Sequence, residues 1–218
     1  MIWSLVFTAT IQTLEMVFLS TIFSMVLGLP LGILLCVTGP ADQGGLISKP
    51  VLNELLSRVV NVLRSFPFII LMILLFPLSR VIVGTSIGTA ATIVPLSIAA
   101  APFVARIIES ALKEVDPGVV QAARAMGSTN RQIIFKVLLP EAMPSLVSGV
   151  TLTVINLIGY SAMAGAIGGG GLGDLAIRYG YQRFRSDVML VAVVVILVLV
   201  ELIQFCGNKI SAEMMKRR

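Results

Sequence analysis

The chain has 218 residues, of which 57% are hydrophobic and 12% charged, with a formal net charge of +5 and a mean hydropathy of +1.00. A soluble domain of this length would expose too much apolar surface to stay in solution, so the composition defines an integral membrane protein. There is no histidine, which removes the commonest general base, the commonest metal ligand and every Ser/His or Cys/His nucleophile pair, and with them classical hydrolase chemistry.

The apolar segments recur from end to end, so one membrane domain over residues 1–218 is expected, with no appended soluble module. Lys and Arg are scattered among these segments instead of forming one basic face, which argues for membrane orientation and against a nucleic-acid partner. Cys36 and Cys206 each lie in an apolar run, where a thiol behaves as a small hydrophobe, and imply no disulfide framework. The N-terminal stretch MIWSLVFTATIQTLEMV lacks a basic n-region and a small-residue cleavage site and reads as retained.

A helix rises about 1.5 Å per residue and the hydrocarbon core is about 30 Å thick, so runs near ~20 residues with few charges mark spans. Five qualify, which predicts an all-α fold of five transmembrane helices. The first covers residues 12 to 37, with Glu15 near its end and a kink expected at Pro30; the second covers 59 to 79, with a kink expected at Pro67. The third, 86 to 107, contains Pro95 and Pro102 among small residues. That composition suits a helix buried against neighbours that satisfy the backbone groups proline frees.

Residues 113 to 142 are too polar for a span and too patterned for a linker, and they read as two short helices on the cytoplasmic side. Asp116 caps the first, Pro117 fits its first position, and Gly127 ends it in a left-handed conformation. Val119, Ala122, Ala123 and Met126 follow i, i+3, i+4, i+7 spacing and form one small apolar face. The second helix opens with Thr129 and Gln132 in a capping-box relation and is expected to stop at Pro140. Without a partner, such a helix could also lie on lipid headgroups, which Arg124, Arg131 and Lys136 would favour.

The fourth span, 145 to 167, places Asn156 near its middle, with Tyr160, Ser161 and Met163 one to two turns on. These polar and soft side chains are candidates to line the translocation path or the dimer contact, the alternative being a helix–helix hydrogen bond with no substrate role. Gly168, Gly170 and Gly173 match a dinucleotide-binding spacing, but they follow a membrane span and not a strand, so the match is set aside. The run is read as a flexible or re-entrant turn, with Gly168 and Gly171 candidates for an outer gate. Arg178, Tyr179, Tyr181, Arg183 and Arg185 follow as basic and aromatic residues at an interface, before a fifth span at 187 to 207 with Glu201 near its end.

With five spans the two ends face opposite sides. One set of connections holds Lys49, Arg58, Arg64, Arg106, Lys113, Arg124, Arg131, Lys136, Lys209, Lys216, Arg217 and Arg218; the other holds Arg80, Arg178, Arg183 and Arg185. By the positive-inside rule the first set is cytoplasmic, which puts the N-terminus outside and the C-terminus inside.

Gln121-Ala122-Ala123, then Gly127, then Val137-Leu138-Leu139-Pro140 resemble the EAA loop of ABC-importer permeases, with Gln121 where the family has glutamate and Val137 where it has isoleucine. Arg64-Ser65-Phe66-Pro67-Phe68-Ile69-Ile70, the run from Arg80 to Gly88, and Gly159-Tyr160-Ser161-Ala162-Met163 with its glycines are similar to the methionine-uptake branch of that family. The resemblance implies the type I importer permease fold in a bacterial inner membrane. It implies a homodimer of this subunit, two ATP-binding-cassette ATPase subunits, a periplasmic or lipid-anchored substrate-binding protein, and import of L-methionine, with acceptance of the D-isomer left open. Val119, Gln121, Ala122, Ala123, Met126, Gly127, Leu139 and Pro140 would then couple to the ATPase, and Arg178, Tyr179, Tyr181 and Arg183 would dock the binding protein.

The sequence has no Gly-x-x-x-x-Gly-Lys-Ser/Thr phosphate loop, so this chain is expected to carry no cofactor and to leave ATP and Mg to its partner. Two rival classes remain. A secondary carrier would show internal repeats and midplane acidic residues. A lipid-acting membrane enzyme would show clustered Asp, His or Cys. The sequence displays neither pattern.

Overall fold

A computed structural model describes residues 2–40 and 45–216, and every regular element among them is helical. Helix α1 runs Ile2–Thr38, longer than the expected span and continuous through Pro30. Helices α2 (Pro50–Ser65) and α3 (Phe68–Val83) replace the expected second span. They reach the length and hydropathy of a span only together, and they are bent by 103° at the break. Pro67 has φ −58° and ψ 126°, outside the helical region. Its ring removes a backbone donor and pushes Phe66 out of the α conformation, so the kink becomes a full interruption. Helix α3 closes on Gly84 in a left-handed conformation.

Helix α4 (Thr89–Lys113) continues through both Pro95 and Pro102. Its apolar window is 61% buried, against 11% for the last helix of the chain, so packed neighbours hold α4 in shape where the α2–α3 pair lacks such support. Hydroxyls assist beside Pro95: Ser97 Oγ donates to the Ile93 carbonyl (2.6 Å), as does Ser20 Oγ from α1 (3.4 Å).

Helix α5 is Pro117–Ala125 and α6 is Asn130–Ile133. A π-helical turn, Ile134–Leu138, leads into α7, Leu139–Glu141. The expected stop at Pro140 therefore does not occur. The wider π turn precedes the proline, which then occupies the first turn of α7, where a missing N–H leaves nothing unsatisfied. Helix α8 is Met143–Gly165, α9 is Gly171–Leu175 continued by a π-helical turn Ala176–Tyr181, and α10 is Ser186–Lys216. Helices α1, α4, α8 and α10 are each long and apolar enough to cross a membrane, and the bent α2–α3 pair makes a fifth crossing if taken as one broken span. Arg217 and Arg218, counted in the cytoplasmic set, lie outside the described residues.

The helices pack as two units. One comprises the chain up to Ser24, Phe66–Ala100 and Leu152–Cys206. Met16, Val17, Leu96, Leu157 and Ile158 form one of its cores, and Val6, Ala9, Leu172, Leu175, Val188 and Ala192 form another. The second unit comprises Met25–Ser65, Ala101–Thr151 and the chain from Gly207 on, around Val104, Ile108, Leu112, Ala123, Ile133, Leu138 and Leu146.

Lipid is as apolar as leucine, so helices in a bilayer associate through close packing and polar ties more than through hydrophobicity. In the second unit Gly28 lets α1 approach α4 so closely that a Cβ there would fall 2.6 Å from Val104 Cγ1. Asn53 Nδ2 ties α2 to the end of α1 through the Leu35 carbonyl (2.7 Å). Ser148 donates to Ser211 (2.9 Å) and Ser211 to the Pro144 carbonyl (3.0 Å), fastening α10 to α8. The large side chains Trp3, Phe7 and Phe18 of α1 and Leu190, Leu197 and Phe205 of α10 point outward and exposed, the inverse of a soluble protein and the arrangement lipid requires.

Candidate functional site

The segment between α4 and α8 is built by local hydrogen bonds that the sequence announces. Asp116 Oδ1 accepts from the Gly118 N–H (2.7 Å) and Pro117 opens α5. At the other end Gly127, with φ +77°, donates to the Arg124 carbonyl (2.9 Å), and Ser128 donates to the Ala123 carbonyl (3.1 Å). This pair of bonds is a Schellman motif. Thr129 and Gln132 form the full capping box, with Thr129 N–H donating to Gln132 Oε1 (2.8 Å) and Gln132 N–H to Thr129 Oγ1 (3.3 Å).

The four residues expected on one apolar face divide. Ala123 is buried, together with Ile133 and Leu138, in the core below. Val119 and Ala122 are exposed, and Met126 is 79% exposed. The face that packs is Val120 with Ala123, one step round the helix from the one the spacing selects. Gln121, Gly127 and Pro140 are exposed and Leu139 is half-buried against the core. Arg124, Arg131 and Lys136 are exposed too, and a cleft of about 250 Å³ lies among Arg131, Gln132, Phe135 and Lys136. Small, soft and basic groups thus stand outward on a base anchored by Ala123, Ile133 and Leu138.

The candidates for the path, all in the other unit, are only partly brought together. Asn156 and Met163 lie on one exposed stripe of α8, with Leu152 and Gly159 completing it at helical spacing. Ser161 faces away, is 2% exposed, and donates to its own helix at the Ile158 carbonyl (2.8 Å), so it is not placed beside them. Tyr160 is stacked on Phe68, with ring centroids 4.5 Å apart and planes within 6°. Phe68 stood in the quoted motif, but nothing local marked it as the partner of Tyr160.

Gly168 and Gly171 both have positive φ and belong to a tightly held turn. The Gly88 N–H donates to the Gly168 carbonyl (3.1 Å). The first two N–H groups of α9 find side-chain acceptors on α1: Gly171 donates to Gln12 Oε1 and Leu172 to Thr13 Oγ1, each at 2.9 Å. Of the two readings of this turn, flexible or re-entrant, these bonds argue against the flexible one.

Beyond α9, Arg178 pairs with Asp174, and Tyr179 is packed inward with the Arg183 guanidinium 4.5 Å above its ring. Tyr181 is 70% exposed and Phe184 89% exposed. Phe184 holds φ +54°, uncommon for a bulky residue. The exposed surface of this loop therefore includes Arg178, Tyr181, Gln182, Arg183, Phe184 and Arg185, with Tyr179 as its anchor.

One polar group escaped the sequence reading. Glu109, placed just past the expected third span, lies inside α4 and is 5% exposed. Arg106 donates to its Oε2 (2.6 Å) and Lys113 to its Oε1 (2.8 Å).

A bundle of long apolar helices carrying a capped helix pair of this pattern defines a membrane permease subunit. The chain belongs to the family described as binding-protein-dependent transport system inner membrane component, whose model matches residues 28–210. It is 53% identical over 204 residues to the probable D-methionine transport system permease protein MetI of Vibrio cholerae, covering 94% of this chain and 89% of that one. It is 49% identical over 176 residues to the methionine import system permease protein MetP of Bacillus subtilis, covering 81% of this chain and 79% of the other. A structure of the MetNI methionine ABC transporter in an inward-facing conformation superposes with a TM-score of 0.94 at 49% identity, over 97% of both chains. The fold is that of a type I ABC-importer permease.

Proposed function

We propose that this chain is the membrane-spanning subunit of an ATP-driven methionine importer. It works as a homodimer in a bacterial inner membrane, with two ATP-binding-cassette subunits and a periplasmic or lipid-anchored binding protein. Close similarity to methionine permease subunits over nearly the whole chain supports methionine as the substrate class. The chain performs no covalent chemistry; ATP and Mg belong to the partner. In this reading residues 1–218 are one permease domain of five crossings, the α2–α3 pair being a broken span, with the N-terminus outside and the C-terminus in the cytoplasm.

One observation carries the mechanism. The segment from Asp116 to Pro140 is rigidly capped and rooted in its unit through Ala123, Ile133 and Leu138, yet leaves Val119, Gln121, Ala122 and Met126 exposed. A rigid element that is anchored beneath and open above transmits a partner's movement as a body. ATP binding closes the ATPase pair, the segment moves with it, and the spans turn from inward-open to outward-open. Substrate delivered at the Arg178–Phe184 surface then enters past the α8 stripe of Asn156 and Met163, with Gly168 and Gly171 holding the outer turn. Gln121 supplies a neutral amide where the family carries a carboxylate, so its contact with the ATPase is a hydrogen bond and not an ion pair.

The test is to place a charge on the exposed apolar contact. Met126→Glu should abolish co-purification with the ATPase subunit while the permease still accumulates in the membrane. Undiminished association would remove the coupling role.

A further inference from the structure

Helix α2 presents Ser57, Asn61 and Arg64 at i, i+4 and i+7, one stripe of its surface. This stripe meets α4. Arg106 donates to the Ser57 carbonyl (3.1 Å) and to Asn61 Oδ1 (3.0 Å), and the Arg64 guanidinium lies 6.0 Å from the centre of the Phe103 ring. Since Ser57 and Asn61 pair with Arg106, and Arg64 with Phe103 one turn earlier, the two helices run antiparallel here. Their two guanidinium groups follow one another within about one turn, ~5 Å along the axis.

The charges along this seam do not balance. Glu109 is the one buried acid among the described residues, and both of its oxygens are taken, by Arg106 and by Lys113. Arg64 has no carboxylate partner among the described residues, and the Nε of Arg106 is buried without an acceptor. Both arginines, assigned to the cytoplasmic set of connections by their sequence position, lie in the structure within helices counted toward the membrane crossings. Arg106 is seven residues from the end of α4, about 10 Å along the helix, and Arg64 is in the last turn of α2 before the break. Arg64 is exposed and Arg106 half-buried; within a bilayer such cations are costly unless something negative offsets them, and an intramembrane arginine is a default candidate for a ligand path.

We propose that the α2–α4 seam is an anion subsite that takes the carboxylate of the amino-acid substrate during its passage, Arg64 making the contact. Arg106, fixed by Ser57, Asn61 and Glu109, is a positioning residue that keeps the stripe straight and its field positive. A guanidinium suits this task because its planar fork matches a carboxylate with two parallel N–H···O bonds. The Phe103 ring lies under the Arg64 guanidinium, a cation–π contact that leaves the edge N–H groups of the fork available. The inference rests on the reading of the chain as an amino-acid importer. The competing account is an arginine that merely extends toward headgroups along its apolar stem.

The two are separated by Arg64→Met and Arg64→Lys in the complete transporter, with ATPase and binding protein, assayed for radiolabelled L-methionine uptake in proteoliposomes. Methionine keeps an unbranched apolar stem over Phe103 without charge; lysine keeps the charge. At saturating substrate Arg64→Met should lower the uptake rate about tenfold or more, the factor attached to one charge-assisted hydrogen bond in a low-dielectric site. Arg64→Lys should retain a clearly larger share, and hydrolysis of ATP in the absence of substrate should be unchanged in both. Wild-type uptake in Arg64→Met, equal loss in both variants, or failure of Arg64→Met to assemble would each overturn the subsite, because the residue would then be extending outward, filling space or holding the fold. A wild-type transporter that takes up no methionine with ATP present would instead overturn the function on which the subsite depends.

Discussion

Gly127 holds φ +77°, and a Cβ built there would meet no heavy atom within 4 Å. The cost of replacing it is therefore one of backbone conformation and not of crowding, about 1–2 kcal/mol for an ordinary side chain. Gly127→Leu should unwind the Schellman end of α5 and collapse uptake with the subunit still in the membrane, whereas Gly127→Asn, which tolerates the left-handed region, should keep most activity. Equal activity in the leucine variant and the wild type would contradict the role of this turn. Gly171 differs: φ is +79° and a Cβ would also lie 2.6 Å from Thr13 Oγ1. Gly171→Ala should accordingly lower the unfolding temperature of the purified protein more than Gly127→Ala does, and an equal shift would argue that the Gln12 and Thr13 contacts with α9 do not matter. The need for glycine at 127 was legible, because Asp116, Pro117, Thr129 and Gln132 make their bonds within a few residues. The need at 171 was not, since its partner Gln12 lies 159 residues away in sequence.

At the scale of elements, proline alone did not reveal which helices stay whole. Pro30, Pro95 and Pro102 sit inside continuous helices while Pro67 ends one. What separates Pro95 and Pro102 from Pro67 is packing: α4 is enclosed by neighbours, and the residues around the break at Pro67 are largely exposed. Burial of the kind that holds α4 belongs to the tertiary structure and leaves no local mark. The π turns escaped for a related reason, since each inserts one residue to reconcile a helix with what it packs on. Within α4, Glu109 stands between Arg106 and Lys113 at 2.6 and 2.8 Å. Glu109→Gln would leave two cations facing each other across a neutral amide. With both cations partly exposed, the loss should be about 2–3 kcal/mol, read as a lower unfolding temperature in detergent; a neutral substitution would show that solvent already screens the group. At α5, Asp116→Ala removes one cap bond, worth about 1 kcal/mol. It should weaken coupling in the same direction as Gly127→Leu, but less.

For the whole molecule, the proposed orientation rests on the positive-inside rule, which assigns twelve of the sixteen Lys and Arg residues to the cytoplasmic side. A cysteine placed at Met126 should thus be labelled by a membrane-impermeant thiol reagent only in inside-out vesicles, while one at Tyr181 should react in intact spheroplasts; the reverse pattern would invert the topology. The exposed apolar faces of α1 and α10 were foreseeable from composition alone. Which α8 residues share a face was foreseeable only in part: helical spacing puts Asn156 with Met163, but Ser161, three residues from its acceptor, bonds back to its own helix. The most direct measurement is methionine uptake into proteoliposomes that contain this chain, its ATPase and its binding protein, with ATP inside or outside the lumen and no ion gradient. Uptake should appear only when ATP reaches the face that carries Met126 and Gly127. Uptake without ATP, or without the ATPase subunit, would contradict the account.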